Sequence, residues 1–345
     1  MPNEILTYAI DRLAEGIDLT EAEAASVLEQ IMSGNSSEVQ TAGFLVALRT
    51  KGEKVEEIVG LAKTMRRFSL KVDAGSQEVI DTCGTGGDKS HTFNISTTAA
   101  FVVAGAEAGV AKHGNRSATS QCGSADVLEA LGADLEISPA DVGRLIGETG
   151  IGFMYAPLHH QAMKHVIPVR RELGVRTIFN FLGPLTNPAG AAFQLIGVSD
   201  VRYVDVIAEA LMRLGCSHGL VVHGSDGLDE ITITGPTDVA EVSPAGVKKF
   251  TIEPRDFGLE PATGSDMLRG GSAEDNARIL TSILDGETGV RRDIVLLNAG
   301  AALYAAGAAE NISEGVRLAA DSIDNGSARN KLDTYIQASR TSSSP

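Results

Sequence analysis

The sequence predicts an α/β protein, with a small, mainly helical N-terminal domain and a larger α/β domain whose mostly parallel central sheet is flanked by helices. Three observations predict it. The first seventy residues contain only helical patterns, short apolar runs then alternate with helical patterns, and the last third is helical again. Short, continuously apolar strands separated by helices are typical of parallel sheets that are buried on both faces.

The N-terminal part carries two signals for the start of a helix. Thr20 with Glu23 and Ser37 with Gln40 each fit a capping box, in which two side chains satisfy backbone amides at the start of a helix. We therefore expect helices to begin after Thr20 and after Ser37, and the helical pattern of 55–68 predicts a third.

The region after residue 76 predicts a sheet and its covering helices. The predicted strands are 79–81, 110–112, 152–155, 193–198 and 219–222. The helical patterns between them are 124–131, 139–148 and 203–214. Alternation of apolar and polar residues in ITIT and VKKFTI, within 230–252, indicates an antiparallel edge. The last third predicts helices at 273–284, 294–306, 312–323 and 328–338, and a disordered tail at 341–345.

The composition argues against several classes of protein. The formal net charge of -16 at pH 7 would repel nucleic acid and anionic membranes, so neither is expected as a partner. The three cysteines form no C-x-x-C pair, which is typical of reduced thiols and not of a zinc site or a disulfide framework. The first residues lack a basic start followed by an apolar run, as a secretory signal would have. We expect a cytoplasmic protein.

A glycine-rich loop, DTCGTGGD at 81–88, follows the strand predicted at 79–81. Glycines let the backbone amides of such a loop turn towards a phosphate. Two well-known phosphate motifs do not fit, because Lys89 stands where the dinucleotide pattern needs glycine, and Asp88 stands where the P-loop needs lysine. A tight structural turn is the alternative interpretation.

Two further segments favour an anion. NIST at 94–97 precedes a long helical run, and the start of a helix attracts negative charge. KHGNRSATS at 112–120 follows the next predicted strand and adds two cations and several short donors. Because loops at the carboxyl ends of parallel strands face the same crevice, the segments together predict a phosphorylated ligand. A solvated basic loop is the alternative for 112–120.

An acidic pair, Asp229 and Glu230, follows the strand predicted at 219–222. Adjacent carboxylates suit Mg²⁺, which prefers oxygen ligands and is often completed by the phosphates of a substrate. Taken alone, such a pair is more often solvated surface. The same holds for Arg170 in the sequence RRE, for which a surface salt bridge is the simplest interpretation.

The motifs DTCGTGGD, NIST, KHGNR, NFLGPLTNP and DGLDE, in this order, resemble the anthranilate phosphoribosyltransferase family. The resemblance covers the chain to about residue 330. It implies transfer of the 5-phosphoribosyl group of phosphoribosyl diphosphate (PRPP) to the amine of anthranilate, with release of pyrophosphate, in tryptophan biosynthesis. It also implies a helical domain of 1–70 with a returning segment at about 171–188, an α/β domain of 76–170 and 189–340, and a homodimer formed through the helical domain.

The resemblance also assigns the site. It implies that Mg²⁺ is bound by Ser96, Asp229 and Glu230, and that anthranilate contacts Gly84, Asn115 and Arg170. The departing diphosphate would be stabilised by Lys112, Asp88 and the metal site. The residues implied for PRPP are Gly84, Gly87, Asp88, Thr92, Asn94, Ile95, Ser96, Thr97, Lys112, His113, Gly114, Asn115, Arg116, Ser117, Ala118, Thr119, Ser120 and Ser124.

Two alternatives stay open at this point. One is a nucleoside phosphorylase of the same fold, which KHGNR and the length of 345 residues disfavour. The other is a regulatory or binding relative without catalytic activity, which is disfavoured because every expected metal and phosphate position carries the expected residue.

Overall fold

The computed structural model describes residues 1–117 and 121–342 of the chain. Four helices come first, namely α1 (Glu4–Ala14), α2 (Glu21–Met32), α3 (Glu38–Lys51) and α4 (Val55–Phe68). Thr20 and Glu23 form the predicted capping box of α2. The prediction of a second capping box is only half correct, because one of its two hydrogen bonds is missing. The hydroxyl of Ser37 accepts from the amide of Gln40, but the Gln40 side chain binds the backbone of Asn3, because α1 and α3 pack side by side.

A seven-stranded sheet follows, in the order β3-β2-β1-β4-β5-β6-β7. The strands are β1 (Val79–Gly84), β2 (Gly109–Gly114), β3 (Ile151–Tyr155), β4 (Phe193–Gly197), β5 (His218–Gly224), β6 (Thr237–Ser243) and β7 (Gly246–Ile252). The first five strands are parallel to one another, while β6 and β7 are antiparallel. The predicted mostly parallel sheet is therefore confirmed.

Helices cover both faces of the sheet. They are α5 (Ile95–Gly105), α6 (Ser124–Ala130), α7 (Pro139–Thr149), α8 (Ala156–His159), α9 (Ile167–Leu173), α10 (Phe179–Leu185), α11 (Val204–Arg213), α12 (Ala273–Leu284), α13 (Val290–Ala305), α14 (Ile312–Asp324) and α15 (Ser327–Ser342). Among the described residues, none of these helices has both the length and the apolar character needed to cross a membrane.

The core consists of two clusters of buried apolar side chains, one on each face of the sheet. Successive residues of a strand point to opposite faces, so Leu220 and Val222 of β5 belong to one cluster and Val221 to the other. The first cluster contains α5–α7 and α12–α15. The second contains α1–α4 together with α9, α10 and α11.

The segment between β3 and β4 returns to the N-terminal helices. Phe179 and Leu182 of α10 are buried in the same cluster as α1–α4. This contact begins before residue 171, because Met163 and Val169 are already part of the cluster. The bounds of the two domains stay a prediction.

The antiparallel edge differs from the prediction. ITIT at 231–234 is a loop, and the strand that pairs with VKKFTI is β6. The hydroxyls of Thr232 and Thr234 donate to Asp226, and the amide of Ile231 donates to the side chain of Asn298. These side-chain partners replace a strand ladder for that segment.

The predicted disordered tail is also partly wrong. Helix α15 continues to Ser342, so residues 341–342 are helical. Residues 343–345 lie outside the described residues.

Candidate active site

The crevice lies at the carboxyl ends of β1 and β2. These strands are parallel neighbours that end at Gly84 and Gly114. The loops that follow therefore leave the sheet at the same edge, as the sequence predicts. The N-terminus of α5 and the segment after β5 reach this edge as well, and both contact the loop residues described below.

The glycine loop after β1 is bound to the acidic pair. The amide of Gly86 donates a hydrogen bond of 2.6 Å to Oδ2 of Asp229. A methyl group on Gly84 would lie 2.1 Å from the same oxygen, and one on Gly197 would lie 1.7 Å from the Asp229 carbonyl oxygen. Gly87 has a φ of 83°, which side chains rarely adopt. Glycine is therefore required here by close approach and by backbone conformation.

The acidic pair is half-buried and carries more negative charge than its surroundings compensate. Burial raises the pKa of both Asp229 and Glu230 above the usual carboxyl range, Asp88 raises that of Asp229 further, and Asp229 raises that of Glu230 further. Lys112 and the amide of Ser96 oppose the rise at Glu230. Two carboxylates and a serine hydroxyl next to the glycine loop are oxygen ligands, and this set fits a divalent cation such as Mg²⁺.

Lys112 is a buried cation of the crevice, only 3% exposed. Its Nζ donates to the carbonyl of Thr82 and lies 3.3 Å from Oγ of Ser96. The charge of Lys112 lowers the pKa of Asp81, which burial raises. The ammonium group thus lies next to the start of α5, where it offsets the carboxylates and adds positive potential to the crevice.

The start of α5 offers several polar groups to an anion. The first amides of a helix have no partner within the helix. Oγ1 of Thr97 is buried and has no hydrogen-bond partner among the described residues. Asn94 precedes the helix and bridges to the carbonyl of Cys122, while Thr92 pairs with Arg269. Ile95 is buried and positions this turn.

The second loop, after β2, is folded back on the start of α6. Ser124 donates to the Asn115 carbonyl at 3.3 Å, and the amide of Ser117 donates to Asp126. Arg116 forms an exposed ion pair of 2.6 Å with Glu129. The loop is therefore bound to α6 as far as residue 117, and the predicted contacts Ala118, Thr119 and Ser120 lie outside the described residues.

Close contacts at the end of β2 require glycine at position 114. A methyl group there would lie 2.2 Å from Oγ of Ser124 and 2.6 Å from the ring of Phe153. Only glycine allows both neighbours at this position, which brings the second loop close to the sheet.

An aromatic side of the crevice begins at His113. Its Nδ1 lies 3.2 Å from the Gly183 carbonyl of α10, and its ring lies 5.1 Å from that of His160. Burial lowers the pKa of His113 to about 4, so the ring is neutral at pH 7. Nε2 of both rings is buried without a hydrogen-bond partner in the described part of the chain. Two buried polar atoms are therefore available to a ligand.

Arg170 of α9 lies next to this side. Its guanidinium is 5.6 Å from the centre of the Phe179 ring, and Phe179 begins the helix that carries Gly183. Burial alone lowers the pKa of Arg170, and no carboxylate of the described residues pairs with it. The surface salt bridge considered for Arg170 in the sequence analysis is therefore not formed within residues 1–117 and 121–342.

Comparisons with known proteins identify the family. Residues 76–329 match the model of the glycosyl transferase family, a/b domain, and residues 7–69 match that of the glycosyl transferase family, helical bundle domain. The anthranilate phosphoribosyltransferase of Rubrobacter xylanophilus is 56% identical over 337 residues, which are 97% of this chain and 98% of the relative. That of Symbiobacterium thermophilum is 56% identical over 322 residues, 93% of this chain and 94% of the relative. The chain belongs to the anthranilate phosphoribosyltransferase family.

Solved structures of the anthranilate phosphoribosyltransferase family have the same fold. The enzyme from Thermus thermophilus superposes with a TM-score of 0.91 at 45% identity, over 96% of this chain and 99% of that one. The Saccharomyces cerevisiae enzyme in complex with PRPP and Mg superposes with a TM-score of 0.89 at 30% identity, over 97% of this chain and 98% of that one.

Two asparagines support the site and escaped the sequence reasoning. Asn187, within NFLGPLTNP, donates at 2.8 Å both to Asp81 and to the Ala111 carbonyl, and so connects the middle of β1 with the middle of β2. Asn298 of α13 exchanges two hydrogen bonds of 2.9 Å with the backbone of Ile231, next to the acidic pair. The NFLGPLTNP motif could have pointed to Asn187, whereas no pattern marks Asn298.

Proposed function

We propose that this chain transfers the 5-phosphoribosyl group of PRPP to the amine of anthranilate, giving N-(5-phosphoribosyl)anthranilate and pyrophosphate, in tryptophan biosynthesis. The observation that carries the proposal is the hydrogen bond between the glycine loop and Asp229, because it brings a phosphate-binding loop and a metal-binding pair into one crevice. The names of the relatives support the choice of substrates.

Mg²⁺ is the proposed cofactor, held by Asp229, Glu230 and the hydroxyl of Ser96. When bound, it supplies positive charge for the departing diphosphate. The Saccharomyces cerevisiae relative, whose structure contains PRPP and Mg, supports this choice. The remaining ligands in such sites are commonly water and substrate phosphate.

The residues of the chain bind and orient PRPP. We assign one wall of the PRPP site to Gly84, Gly87 and Asp88, its phosphates to Thr92 and the amides and hydroxyls of 94–97, and the other wall to the loop 112–120 with Ser124. Asp88 would repel the diphosphate directly, so its place is beside ribose hydroxyls or hydrated metal. Fixed donors around the leaving group stabilise the charge that develops there without reorganisation during the reaction.

Anthranilate is proposed to bind on the aromatic side of the crevice. Arg170 has no ion-pair partner among the described residues and presents a planar group that suits a carboxylate. Asn115 and Gly84 are assigned to the side of anthranilate that faces PRPP, and the neutral ring of His113 to the same space. A neutral imidazole adds no positive charge that would oppose the one developing on the attacking amine.

A homodimer through the N-terminal helices is proposed as the working assembly. Ile5 and Tyr8 lie three residues apart on α1, and Val39 and Val46 lie seven apart on α3, so each pair shares one helix face. All four side chains are between 40% and 82% exposed. A surface with several large apolar side chains on two packed helices is typical of a protein interface.

We place the reaction in the cytoplasm. Cys83, Cys122 and Cys216 are all free thiols in the structure, which is typical of reducing compartments. We do not propose nucleic acid or a membrane as a partner, because the net charge of -16 would repel both.

The proposed function is tested by following the fluorescence of anthranilate with the purified chain, PRPP and MgCl₂. We expect a decrease that requires all three additions. Phosphorolysis of thymidine or uridine, measured with the same preparation, tests the nucleoside phosphorylase alternative, and we expect none. Stable anthranilate fluorescence in the complete mixture would refute the proposal.

A further inference from the structure

One side chain far along the sequence contacts the polar group that starts α5. Asn276 lies in the first turns of α12 and is only 2% exposed. Its Nδ2 donates a hydrogen bond of 2.9 Å to Oδ1 of Asn94. Asn94 in turn donates through Nδ2 to the carbonyl of Cys122 at 3.3 Å. A continuous chain of hydrogen bonds therefore runs from α12 through the start of α5 to the end of the second loop.

A backbone donor fixes the direction of this chain. The amide of Gly271 can only donate, and it points to Oδ1 of Asn276 at 2.8 Å. Nδ2 of Asn276 must then face Asn94, and Oδ1 of Asn94 must accept from it. This leaves Nδ2 of Asn94 as the donor to Cys122, whose carbonyl can only accept. Each amide group therefore has one orientation that satisfies all its neighbours.

The segment that carries this donor also binds the backbone just before the start of α5. The amide of Phe93 donates to the Leu268 carbonyl, and the amide of Gly270 donates to the His91 carbonyl, both at 2.9 Å. Gly270 must be glycine, because a methyl group there would lie 2.6 Å from Oδ1 of Asn276 and 2.9 Å from the Phe93 backbone. Asn276 thus sits where three segments meet.

We infer that Asn276 is a positioning residue of the PRPP site, which orients the Asn94 side chain and keeps the turn at the start of α5 and the loop after β2 at a fixed separation. The inference rests on the proposed function and deepens it, since it assigns a residue outside the crevice to the binding of one substrate. Asn276 touches neither substrate. Asn276 acts by orienting Asn94, so a change at this position should alter the affinity for PRPP and not that for anthranilate.

Asparagine is suited to this position because it both accepts and donates. Aspartate has nearly the same shape and still accepts from Gly271, but it offers no N–H to Asn94. The Asn94 side chain would then turn its own amide towards residue 276 and leave an oxygen facing the Cys122 carbonyl. Replacing a buried donor in a network of this kind costs more than one hydrogen bond, because the remaining partners are no longer satisfied.

The test compares Asn276→Asp, Asn276→Ala and Asn94→Ala in steady-state kinetics with Mg²⁺ at saturation. We expect Asn276→Asp to raise KM for PRPP by about tenfold and to change KM for anthranilate by less than about twofold. The double variant with Asn94→Ala should be no worse than Asn94→Ala alone, because Asn276 acts through that side chain. Independent effects that multiply in the double variant would overturn the inference.

Ser322→Ala is the matched control for stability. Ser322 is buried and donates at 2.8 Å to the Val102 carbonyl in the body of α5, so its loss weakens the same helix away from its start. We expect a lower melting temperature and an unchanged KM for PRPP. If Asn276→Asp does not fold, Asn276→Ala replaces it, and a KM for PRPP within about twofold of wild type in a folded variant contradicts the inference. An inactive wild-type chain would instead refute the proposed function.

Discussion

The amide of Gly86 donates a hydrogen bond of 2.6 Å to Oδ2 of Asp229, across 143 residues of sequence. This bond fixes the glycine loop against one member of the acidic pair. The loop therefore cannot move away from the proposed metal position without breaking this hydrogen bond, and we expect a change in either partner to affect binding of both PRPP and Mg²⁺.

Gly84→Ala should weaken the response to Mg²⁺. The added methyl group would lie 2.1 Å from Oδ2 of Asp229, so the carboxylate or the loop must shift. We expect the MgCl₂ concentration for half-maximal rate to rise by about tenfold or more. Gly147→Ala is the matched control, because a methyl group there meets nothing within 4 Å and lies in helix α7. Equal MgCl₂ curves for both variants would contradict the close approach.

Replacing both Asp229 and Glu230 by alanine should abolish magnesium-dependent turnover. The pair is proposed to supply the carboxylate ligands of Mg²⁺, and we expect a loss of about 100-fold or more in kcat/KM for PRPP. Asp226→Asn is the control from the same segment. Asp226 accepts from Thr232 and Thr234, so this variant should lose stability and keep its MgCl₂ dependence. A double variant within about tenfold of wild type would refute the metal assignment.

Arg170→Ala should act on anthranilate alone. Its guanidinium is the cation proposed for the carboxylate, and loss of such a charged hydrogen bond costs about 1.5–3 kcal/mol. We therefore expect KM for anthranilate to rise by at least about tenfold and KM for PRPP to stay within about twofold. Arg171→Ala, at the exposed neighbouring position, should behave as wild type. A larger effect on PRPP than on anthranilate would contradict the role of Arg170.

His113 should make the folded state sensitive to acid. Burial lowers its pKa to about 4 in the folded chain, whereas the unfolded chain takes up the proton near pH 6.5. The unfolded state therefore binds more protons between these values, and the free energy of unfolding falls as pH falls from about 6.5 to about 4, by up to roughly 1.4 kcal/mol per pH unit.

Urea unfolding at pH 7.5, 6.5 and 5.5 measures this dependence. His113→Asn removes the titrating group, and we expect its free energy of unfolding to fall less steeply with acid than that of wild type. Parallel curves for the two proteins would show that His113 does not contribute.

The apolar surface on α1 and α3 should control assembly. Val39 is 82% exposed, and Val39→Asp would place a charge in the proposed interface. We expect the variant to be monomeric by light scattering at concentrations where wild type is dimeric. Val201→Asp is the control, since Val201 is 51% exposed and lies outside α1 and α3. A monomeric wild type would refute the homodimer.

Local patterns predicted most of the fold. The apolar runs at 110–112 and 193–198 predicted β2 and β4, and Thr20 with Glu23 predicted the start of α2, because the signal for each lies within a few residues. The prediction of a strand at ITIT was wrong, because it depended only on the alternation of apolar and polar residues. The conformation of this segment depends instead on the hydrogen bond between Ile231 and Asn298, which lies 67 residues away.

The candidate site was predictable only in part for the same reason. Motifs revealed the residues that carry polar groups towards a ligand, such as the loop 84–88 and the pair at 229–230. They did not reveal the residues that hold these groups in place. Asn276 lies 182 residues from Asn94, and its role depends on one hydrogen bond across that separation. Nor could the sequence show that Arg170 lacks an ion-pair partner within the described residues, because that depends on packing around α9 and α10.

A crystal structure with PRPP and Mg²⁺ bound would show whether the glycine loop, the start of α5 and the acidic pair bind one ligand together. We expect the diphosphate next to the loop 84–88 and the start of α5, the metal ion against Asp229 and Glu230, and the loop after β2 on the opposite side. Density for PRPP at another place, away from both the loop 84–88 and the segment 112–117, would contradict this arrangement.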